Sequence, residues 1–537
     1  MDTTLATGDD RATGLSSSRD PAKAKQGRRR ALGAIATGVL LTLSFPHADL
    51  GFLAWIALVP FFSTFPYART REAAGYGYLM GLVYSGGVAY WMGVFAGGKI
   101  GAGLGIVAWL LAAAIHAPLL ALTAAAANAV WRRPLAVRLV SVAAAWACVE
   151  WLGELGTFGM GWGDLGYTQW HATELLQVTS VTGVFGLSFL IVLANIAYVS
   201  CGRRVILPTA ILLAGICYWG AHECVIPRNM PTIKVAAIQG NINQDVEWTY
   251  TGRPADSAYF YGTLNTFDNL IGQAAKSGAK YVVLPETSVP GYIQFDGELK
   301  QRVLQWSTGN NIAVLGGARY YNAQTRNNQN VAYLVQPAGA IEGPYAKSKL
   351  VPFGEYVPYR QVFGFLKELQ VSISDIQAGT ETQPPLPSGV VSFGPGTPPK
   401  VVVGPMICFE STYSRFARRQ VARGANLLTV ITDDTWFGRT AAARQHLAMS
   451  AIRAAETRRS LVRAAATGIS AVFDSRGRMV SHLDWYKKGI VTADVLIESQ
   501  ITPYVRYGDW FVTLCALLWC IALACPRKDA VTGEEAS

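Results

Sequence analysis

Apolar positions along the chain fall into long, nearly uninterrupted runs in two regions, 31–220 and 509–525, and into short runs between them. Runs of such length and hydropathy are typical of helices that cross a lipid bilayer. The spans predicted in this way are 31–45, 50–66, 74–97, 101–130, 137–152, 176–200, 204–221 and one within 507–525. The pattern therefore predicts a polytopic helical bundle of about eight spans.

The central region has a different pattern, in which short β-branched or apolar runs alternate with helical stretches. Predicted strands lie at 232–238, 281–284, 311–316, 330–336, 400–407, 426–431, 461–465, 470–474 and 489–495. Predicted helices lie at 258–277, 297–308, 412–423 and 440–458. Such alternation predicts a sheet-rich, layered α/β domain.

Composition and charge agree with a membrane protein. Of the 537 residues, 51% are hydrophobic and 15% are charged, which is too apolar for an ordinary soluble enzyme of that length. The net charge of +11 does not indicate nucleic acid as a partner, because no Lys/Arg stripe with interleaved aromatic residues is present. Basic residues instead flank every second span boundary: Arg28 to Arg30, Arg69, Arg71, Arg132, Arg133, Arg138, Arg203, Arg204, Arg527 and Lys528.

Because basic residues in short loops collect on the cytoplasmic side, this alternation predicts that both termini are cytoplasmic and that the central domain lies outside. The predicted organisation is a disordered cytoplasmic tail (1–30), a bundle of seven spans (31–222), an extracytoplasmic domain (230–500), a last transmembrane helix (507–525) and a second cytoplasmic tail (526–537).

Cysteine usage singles out one residue. Seven of the eight cysteines lie in or beside apolar segments, and only Cys408 lies within the central domain. This excludes a disulfide within that domain and a multi-cysteine metal site. A single buried cysteine more often packs than reacts, so a role as nucleophile depends on a base that takes its proton and a cation nearby.

Three reactive groups each follow a hydrophobic strand: Glu286 in "LPE" at 284–286, Lys347 in the segment 345–355, and Cys408 in "ICFE" at 407–410. Glu286 is a candidate base for the thiol, and Lys347 is a candidate cation. From spacing alone, Glu286 as a helix cap and Lys347 as a solvated loop charge remain open.

The order and context of Glu286, Lys347 and Cys408 resemble the Glu-Lys-Cys triad of the nitrilase superfamily. With the runs "LVPFGEYVP" at 350–358, "GWGDLGYTQ" at 161–169 and "TWFG" at 435–438, the chain resembles the apolipoprotein N-acyltransferases of the bacterial inner membrane. The resemblance extends from residue 31 to 525. It implies a nitrilase-like α-β-β-α sandwich for the central domain.

The same resemblance implies a reaction. Cys408 would attack an acyl ester of a phospholipid, Glu286 would accept the thiol proton, and Lys347 would stabilise the oxyanion. The acyl chain would then pass from the Cys408 thioester to the N-terminal amine of a diacylglyceryl-cysteine apolipoprotein. The implied partners are a phospholipid, the apolipoprotein and the bilayer, and no cofactor is implied.

Six further positions are implied as supporting or substrate-binding residues: Glu355, Phe409, Glu410, Trp248, Trp436 and Phe437. The backbone N–H of Phe409 is a plausible second oxyanion donor. Glu355 could instead only pin its loop, and Trp248 could be a membrane-surface residue. Trp436 and Phe437 would form a membrane-dipping arm, with a core position for Phe437 as the alternative.

The chain departs from the family pattern at three positions, which are Phe409 in place of Tyr, and Asp433 and Ala466 in place of Asn. The last two put details of substrate binding in doubt, but not the triad. Three other functions remain open: a membrane-anchored nitrilase-type amidase, a non-catalytic membrane scaffold, and a Cys-His protease using His446 or His482. For His446, which lies in a predicted helix, a structural or pocket-edge role is the preferred interpretation.

Overall fold

The computed structural model describes residues 21–200, 202–225, 230–243, 254–364, 375–394 and 399–526. Trp248 and parts of both predicted tails lie outside the described residues. The helices of the first region are α1 (Pro21–Ser44), α2 (Val59–Phe62), α3 (Thr70–Val88), α4 (Tyr90–Ile100), α5 (Ala102–Val130), α6 (Leu135–Gly153), α7 (Thr173–Leu176), α8 (Thr179–Thr182), α9 (Val184–Val199) and α10 (Arg203–Glu223). Short 3-10 turns lie at Gly51–Trp55, Phe65–Tyr67 and Leu165–Gln169.

The first helix begins at Pro21, within the segment 1–30 that was predicted to be disordered. The Ala, Lys, Gln and Arg residues of this segment are good helix formers. Arg30 is buried and donates to Glu72 Oε2 at 2.8 Å, which ties α1 to α3. Residues 21–30 are therefore helical.

Fewer helices than predicted are long and apolar enough to cross a bilayer. Among the described residues, three meet this condition: Ala102–Val130, Leu135–Gly153 and Arg204–Glu223. Two bent pairs also qualify, α3 with α4 (54°) and α7–α8 with α9 (117°), which gives up to five spans. The prediction of eight is not confirmed.

Local breaks in the chain explain part of this difference. Gly183, at a φ of +70°, interrupts the predicted span 176–200. The predicted span 50–66 contains Pro60 and Pro66 and forms only 3-10 turns and the short helix α2.

The central domain contains the strands β1 (Thr232–Gln239), β2 (Tyr281–Val283), β3 (Ala313–Asn322), β4 (Asn327–Val335), β5 (Ile341–Ala346), β6 (Leu386–Val391), β7 (Lys400–Ile407), β8 (Leu427–Thr432), β9 (Leu461–Ala465), β10 (Ser470–Phe473), β11 (Met479–Leu483) and β12 (Gly489–Leu496). Its helices are α11 (Ser257–Lys276), α12 (Gly297–Thr308), α13 (Arg360–Phe363), α14 (Ser414–Ala422) and α15 (Ala441–Thr457), with 3-10 turns at Cys408–Thr412 and Asp434–Phe437. The chain then returns to the bundle through α16 (Pro503–Tyr507) and α17 (Trp510–Ala524).

The strands form two six-stranded sheets, in the orders β12-β1-β2-β3-β4-β5 and β11-β10-β9-β8-β7-β6. Buried apolar side chains such as Val235, Leu315 and Val403 fill the space between the sheets. Helices α11 and α12 cover the outer face of the first sheet, and α14 and α15 cover that of the second. The predicted nitrilase-like sandwich is confirmed.

Strands β5, β6 and β11 were not predicted. Two of them, β5 and β6, contain Gly and Pro, and all three are short. Each lies at or next to the edge of a sheet, where proline and glycine are tolerated and the apolar pattern is weak.

The domain packs directly on the bundle through α14 and α15. Their apolar side chains share one core with the second sheet and with bundle residues of α6 and α9. The segment between α6 and α7 also contacts the turn that begins at Cys408: the carbonyl of Thr412, at the end of that turn, accepts a hydrogen bond from Tyr167 at 3.3 Å. The turn that begins at Cys408 is therefore supported partly by the bundle.

Candidate active site

The three predicted catalytic side chains follow the carboxyl ends of strands: Glu286 after β2, Lys347 after β5 and Cys408 after β7. All three are buried. Since β2 and β5 belong to the first sheet and β7 to the second, the fold brings together groups that are far apart in sequence.

Glu286 accepts hydrogen bonds on both carboxylate oxygens. Its Oε1 accepts from Lys347 Nζ at 3.1 Å and from Asn330 Nδ2 at 2.6 Å, and its Oε2 accepts from the backbone N–H of Asp433 at 2.8 Å. These three donors hold the carboxylate in a fixed orientation. A role for Glu286 as a simple helix cap does not fit this environment.

Lys347 lies between two carboxylates. Its Nζ donates to Glu286 Oε1 and, at 2.7 Å, to Glu355 Oε1. Burial on its own lowers the pKa of Lys347, but the two carboxylates outweigh that effect and raise the pKa well above the usual value for lysine. The side chain is 1% exposed and carries a positive charge at neutral pH, so it is not a solvated loop charge.

Cys408 is the first residue after β7 and has a φ of +50°. A positive φ is uncommon for a residue with a side chain and is found at strained functional positions. Burial and the negative charge of Glu286 raise the pKa of the Cys408 thiol well above its usual value, and Lys347 offsets only part of this effect. The resting thiol is therefore protonated and needs a base to react.

A buried hydrogen-bond network supports the backbone of Cys408. The carbonyl of Cys408 lies 3.2 Å from His446 Nε2 and accepts a hydrogen bond from Ser411 Oγ at 2.8 Å. His446 Nδ1 in turn lies 3.3 Å from Asp434, whose other oxygen accepts from Arg463 Nη2 at 2.6 Å. His446 thus contacts the nucleophile's backbone, which fits the structural role preferred for it; Asp434 and Arg463 were not predicted as part of the site.

Glu355 and Glu410 both lie within the site but have different contacts. Glu355 accepts from Lys347 and, at 2.8 Å, from the backbone N–H of Val351. Glu355 therefore pins its own loop and also orients the lysine. Glu410 instead accepts hydrogen bonds from Ser348, the residue after Lys347, and from Ile407, the residue before Cys408.

The predicted arm packs on the bundle. The ring of Phe437 lies 4.9 Å from Trp91 and 6.0 Å from Trp162, while the ring of Trp436 is 5.5 Å from Phe95. Trp436 is 39% exposed, so it is the more accessible of the two aromatic residues. Phe409 is buried and its ring makes an edge contact with that of Tyr413 at 5.3 Å.

Two of the three positions that depart from the family pattern, Asp433 and Ala466, have defined contacts. Asp433 holds Glu286 through its backbone N–H, and burial raises the pKa of its own carboxyl group to about 7. The backbone of Ala466 donates to Thr432 at 3.0 Å and accepts from Asn241 at 3.0 Å. Within the described residues, no group of three or more His, Cys, Asp and Glu side chains is arranged to hold a metal ion.

Comparison with known proteins gives two family matches. Residues 37–197 match the apolipoprotein N-acyltransferase N-terminal domain, and residues 234–500 match the carbon-nitrogen hydrolase family. An apolipoprotein N-acyltransferase from Geobacter metallireducens is 32% identical over 94% of this chain and 96% of its own length. An apolipoprotein N-acyltransferase from Methylococcus capsulatus is 30% identical over 93% of this chain and 97% of its own length.

Among solved structures, an amidase of the nitrilase superfamily from Nesterenkonia AN1 is 19% identical and has a TM-score of 0.37. It covers 54% of this chain and 98% of its own. The family assignment rests on the sequence matches, which extend over both the bundle and the domain.

Proposed function

The chain belongs to the apolipoprotein N-acyltransferase family, and from that premise we propose that Cys408 carries an acyl chain as a thioester between two lipid substrates. The protein is a membrane enzyme that transfers an acyl group to the N-terminus of an apolipoprotein. Relatives matched over almost their whole length carry this name, which favours an acyltransferase over an amidase or a scaffold.

In the first half-reaction, the Cys408 sulfur attacks the ester carbonyl carbon of a phospholipid, and Glu286 takes the thiol proton. Lys347 and the backbone N–H of Phe409 stabilise the resulting oxyanion. When the tetrahedral intermediate collapses, the ester C–O bond breaks, and Glu286 returns its proton to the departing oxygen of the lysophospholipid.

In the second half-reaction, the amine of a diacylated apolipoprotein attacks the thioester carbonyl carbon. Glu286 accepts a proton from the amine, the C–N bond forms, and the C–S bond breaks. The proton then passes from Glu286 to the Cys408 sulfur, which restores the thiol and leaves the acyl chain as an amide.

The site residues divide by role in this mechanism. Glu286, Lys347 and Cys408 carry out the chemistry, while Glu355 and Glu410 position them. Phe437 and Trp436 form the arm at which acyl chains enter from the bilayer, and Trp248 is proposed as a further substrate contact. We place the enzyme in the bacterial inner membrane with both termini cytoplasmic and the residues 230–500 outside, on the strength of the charge alternation at the span boundaries.

The observation that carries the proposal is the buried Lys347–Glu286 contact, 3.1 Å between Nζ and Oε1, whose charges act on the thiol of Cys408. The test is mass spectrometry of the full-length enzyme after incubation with phospholipid. The wild type should gain the mass of one acyl chain on Cys408 and lose it when a diacylated peptide is added.

The Cys408→Ala variant should gain no mass and transfer nothing, while Cys520→Ala, in the last helix, should behave as the wild type. Transfer of acyl chains by purified Cys408→Ala would overturn the mechanism. Loss of the acyl group to water rather than to the peptide would indicate an amidase-like hydrolase instead.

A further inference from the structure

Four exposed basic side chains form a patch outside the active site. Arg439 and Arg444 come from the arm and the start of α15, and Lys487 and Lys488 come from the loop between β11 and β12. We call these four residues the basic patch. Two cation-π contacts join its segments: the Arg439 guanidinium lies 5.1 Å from the Tyr486 ring, and that of Arg444 lies 5.5 Å from the Trp485 ring.

The loop that carries the two lysines is held in place. Gln239 Nε2, on β1, donates to the carbonyls of Asp484 and Lys487 at 2.8 and 2.9 Å. The backbone N–H of Tyr486 donates to the carbonyl of Thr467 at 2.9 Å. The charges of the patch are therefore presented on a fixed surface, which lowers the entropy that binding would cost.

Acidic side chains near the patch do not neutralise it. Asp484 lies 3.7 Å from Lys487 and 3.9 Å from His482. Asp49, on the bundle, acts electrostatically on Arg444 but is paired with His171 at 2.9 Å. Among the residues that the structure describes, these two carboxylates do not balance the four cations of the patch, so the net charge of this surface is positive.

The patch adjoins the apolar surface of the bundle. The backbone N–H of Ala441 donates to Tyr90 on α4 at 3.0 Å, and the arm contacts Phe95 through Trp436. The neighbouring faces of α4 and α5 expose apolar side chains, among them Val94 at 54% and Leu104 at 58%. Cations and aromatic rings next to an exposed apolar face are typical of segments that lie at a membrane interface.

We propose that the basic patch docks on the phosphate groups of the adjacent bilayer surface and holds the arm at the level from which acyl chains are drawn. Basic residues near an anionic membrane surface are attracted to it. The positive-inside rule does not oppose such a patch on the outer side, because it applies to short loops and not to a long translocated domain. The role of the arm in drawing acyl chains rests on the proposed function, whereas docking of the patch on the bilayer can be measured without it.

The test measures hydrogen exchange of the full-length enzyme in nanodiscs, with phosphatidylcholine alone or with phosphatidylglycerol added. In the wild type, amides of the 484–488 loop should exchange several-fold more slowly when the anionic lipid is present, and high salt should reverse the effect. In the variant Arg439→Gln/Arg444→Gln/Lys487→Gln/Lys488→Gln, the amides of this loop should exchange at the same rate with and without the anionic lipid.

A charge-matched control replaces four exposed cations elsewhere on the domain, Lys276, Lys300, Arg326 and Lys400, with glutamine. This control should respond to anionic lipid as the wild type does, and amides of β8 should report intact folding in every variant. Equal exchange of the wild-type loop in both lipids would overturn the proposal. So would protection by free inorganic phosphate in neutral nanodiscs, because that would indicate a small-anion site rather than a surface for the bilayer.

Discussion

The buried carboxylate of Glu410 accepts four hydrogen bonds. Its Oε1 accepts from the backbone N–H and the hydroxyl of Ser348, both at 2.7 Å, and its Oε2 accepts from the N–H of Ile407 at 2.8 Å and the hydroxyl of Tyr345 at 3.0 Å. A carboxylate can satisfy all four donors, whereas an amide places its own NH₂ group against at least one of them. Glu410 therefore links the segment that carries Lys347 to the end of β7, which Cys408 follows.

We expect Glu410→Gln to lower kcat for acyl-enzyme formation by roughly 100-fold, because a shift of about 1 Å between reacting groups has an effect of that size. The phospholipid KM should change little. Tyr345→Phe, which removes one of the four donors, is the control and should retain most of the activity. A Glu410→Gln variant with normal kcat would show that Glu410 is not needed to position the site.

Asp433 gives a stability prediction that depends on pH. Burial raises the pKa of its carboxyl group to about 7 from an ordinary value of 3.8. Between pH 3.8 and pH 7 the folded chain keeps the proton that the unfolded chain loses. The contribution of this carboxyl group to the free energy of unfolding is therefore present at low pH and is lost as the pH rises through 7. The Asp433→Asn variant has no such dependence.

The thermal midpoint of Asp433→Asn relative to the wild type should therefore rise between pH 5 and pH 8. Asp494→Asn, which changes an exposed carboxylate, should show no such trend. A difference that is flat with pH for Asp433→Asn would mean that its carboxyl group titrates normally in the folded enzyme.

The proposed triad could be predicted from sequence because each member lies in a distinctive motif, and Glu286 and Cys408 also follow recognisable strands. Glu355, which contacts Lys347, could be predicted from its motif, but other immediate partners could not. Asn330 reaches Glu286 only because β4 pairs with β3, and Arg463 reaches Asp434 only because β9 pairs with β8. Pairing of this kind joins residues that no local pattern connects.

At the scale of elements, the two aromatic residues of the arm have different environments. Phe437 packs against two tryptophans of the bundle, whereas Trp436 is substantially exposed. We expect Phe437→Ala to lower the free energy of unfolding by about 1 to 3 kcal/mol through lost burial and ring contacts. Trp436→Ala should leave the thermal midpoint nearly unchanged and raise the phospholipid KM several-fold.

Both effects are measured by thermal unfolding in detergent and by steady-state kinetics with phospholipid. Tyr359→Ala, an exposed aromatic outside the arm, is the control for Trp436→Ala. A Trp436→Ala variant with a lower kcat and an unchanged phospholipid KM would contradict a role in acyl-chain entry.

Elements with strong patterns were predicted well, and those with weak patterns were not. The buried strands β1, β7 and β8 are rich in apolar, mostly aliphatic residues, whereas β11 alternates in burial. In the bundle, hydropathy located the apolar segments but could not tell a straight span from a bent pair. Helices α3 and α4 meet at 54° near Ala89 and both pack against α5, which hydropathy does not indicate.

At the scale of the whole molecule, a buried ion pair on α15 joins the domain to the bundle. Arg453 Nε and Glu456 Oε2 are 2.9 Å apart, and both side chains are fully buried. Glu456 accepts from the backbone N–H of Val184 on the bundle at 2.9 Å. Arg453 donates to the carbonyl of Thr412, which ends the turn that begins at Cys408, at 3.2 Å.

Removing one member of such a pair leaves an uncompensated buried charge, which costs about 3 to 5 kcal/mol. We therefore expect Arg453→Met and Glu456→Gln each to lower the thermal midpoint strongly and the acylation rate with it. The double variant should lose clearly less than the sum of the two single losses, because it buries no unpaired charge.

An exposed pair provides the comparison. Arg360 and Asp375 also contact each other, but their side chains are 58% and 33% exposed, so Arg360→Met should cost less than about 1 kcal/mol. If the losses from Arg453→Met and Glu456→Gln simply add, the two residues act independently and the pair does not couple the domain to the bundle. If they do not add and acylation falls in parallel with stability, the membrane bundle is part of what holds Cys408 in its reactive position.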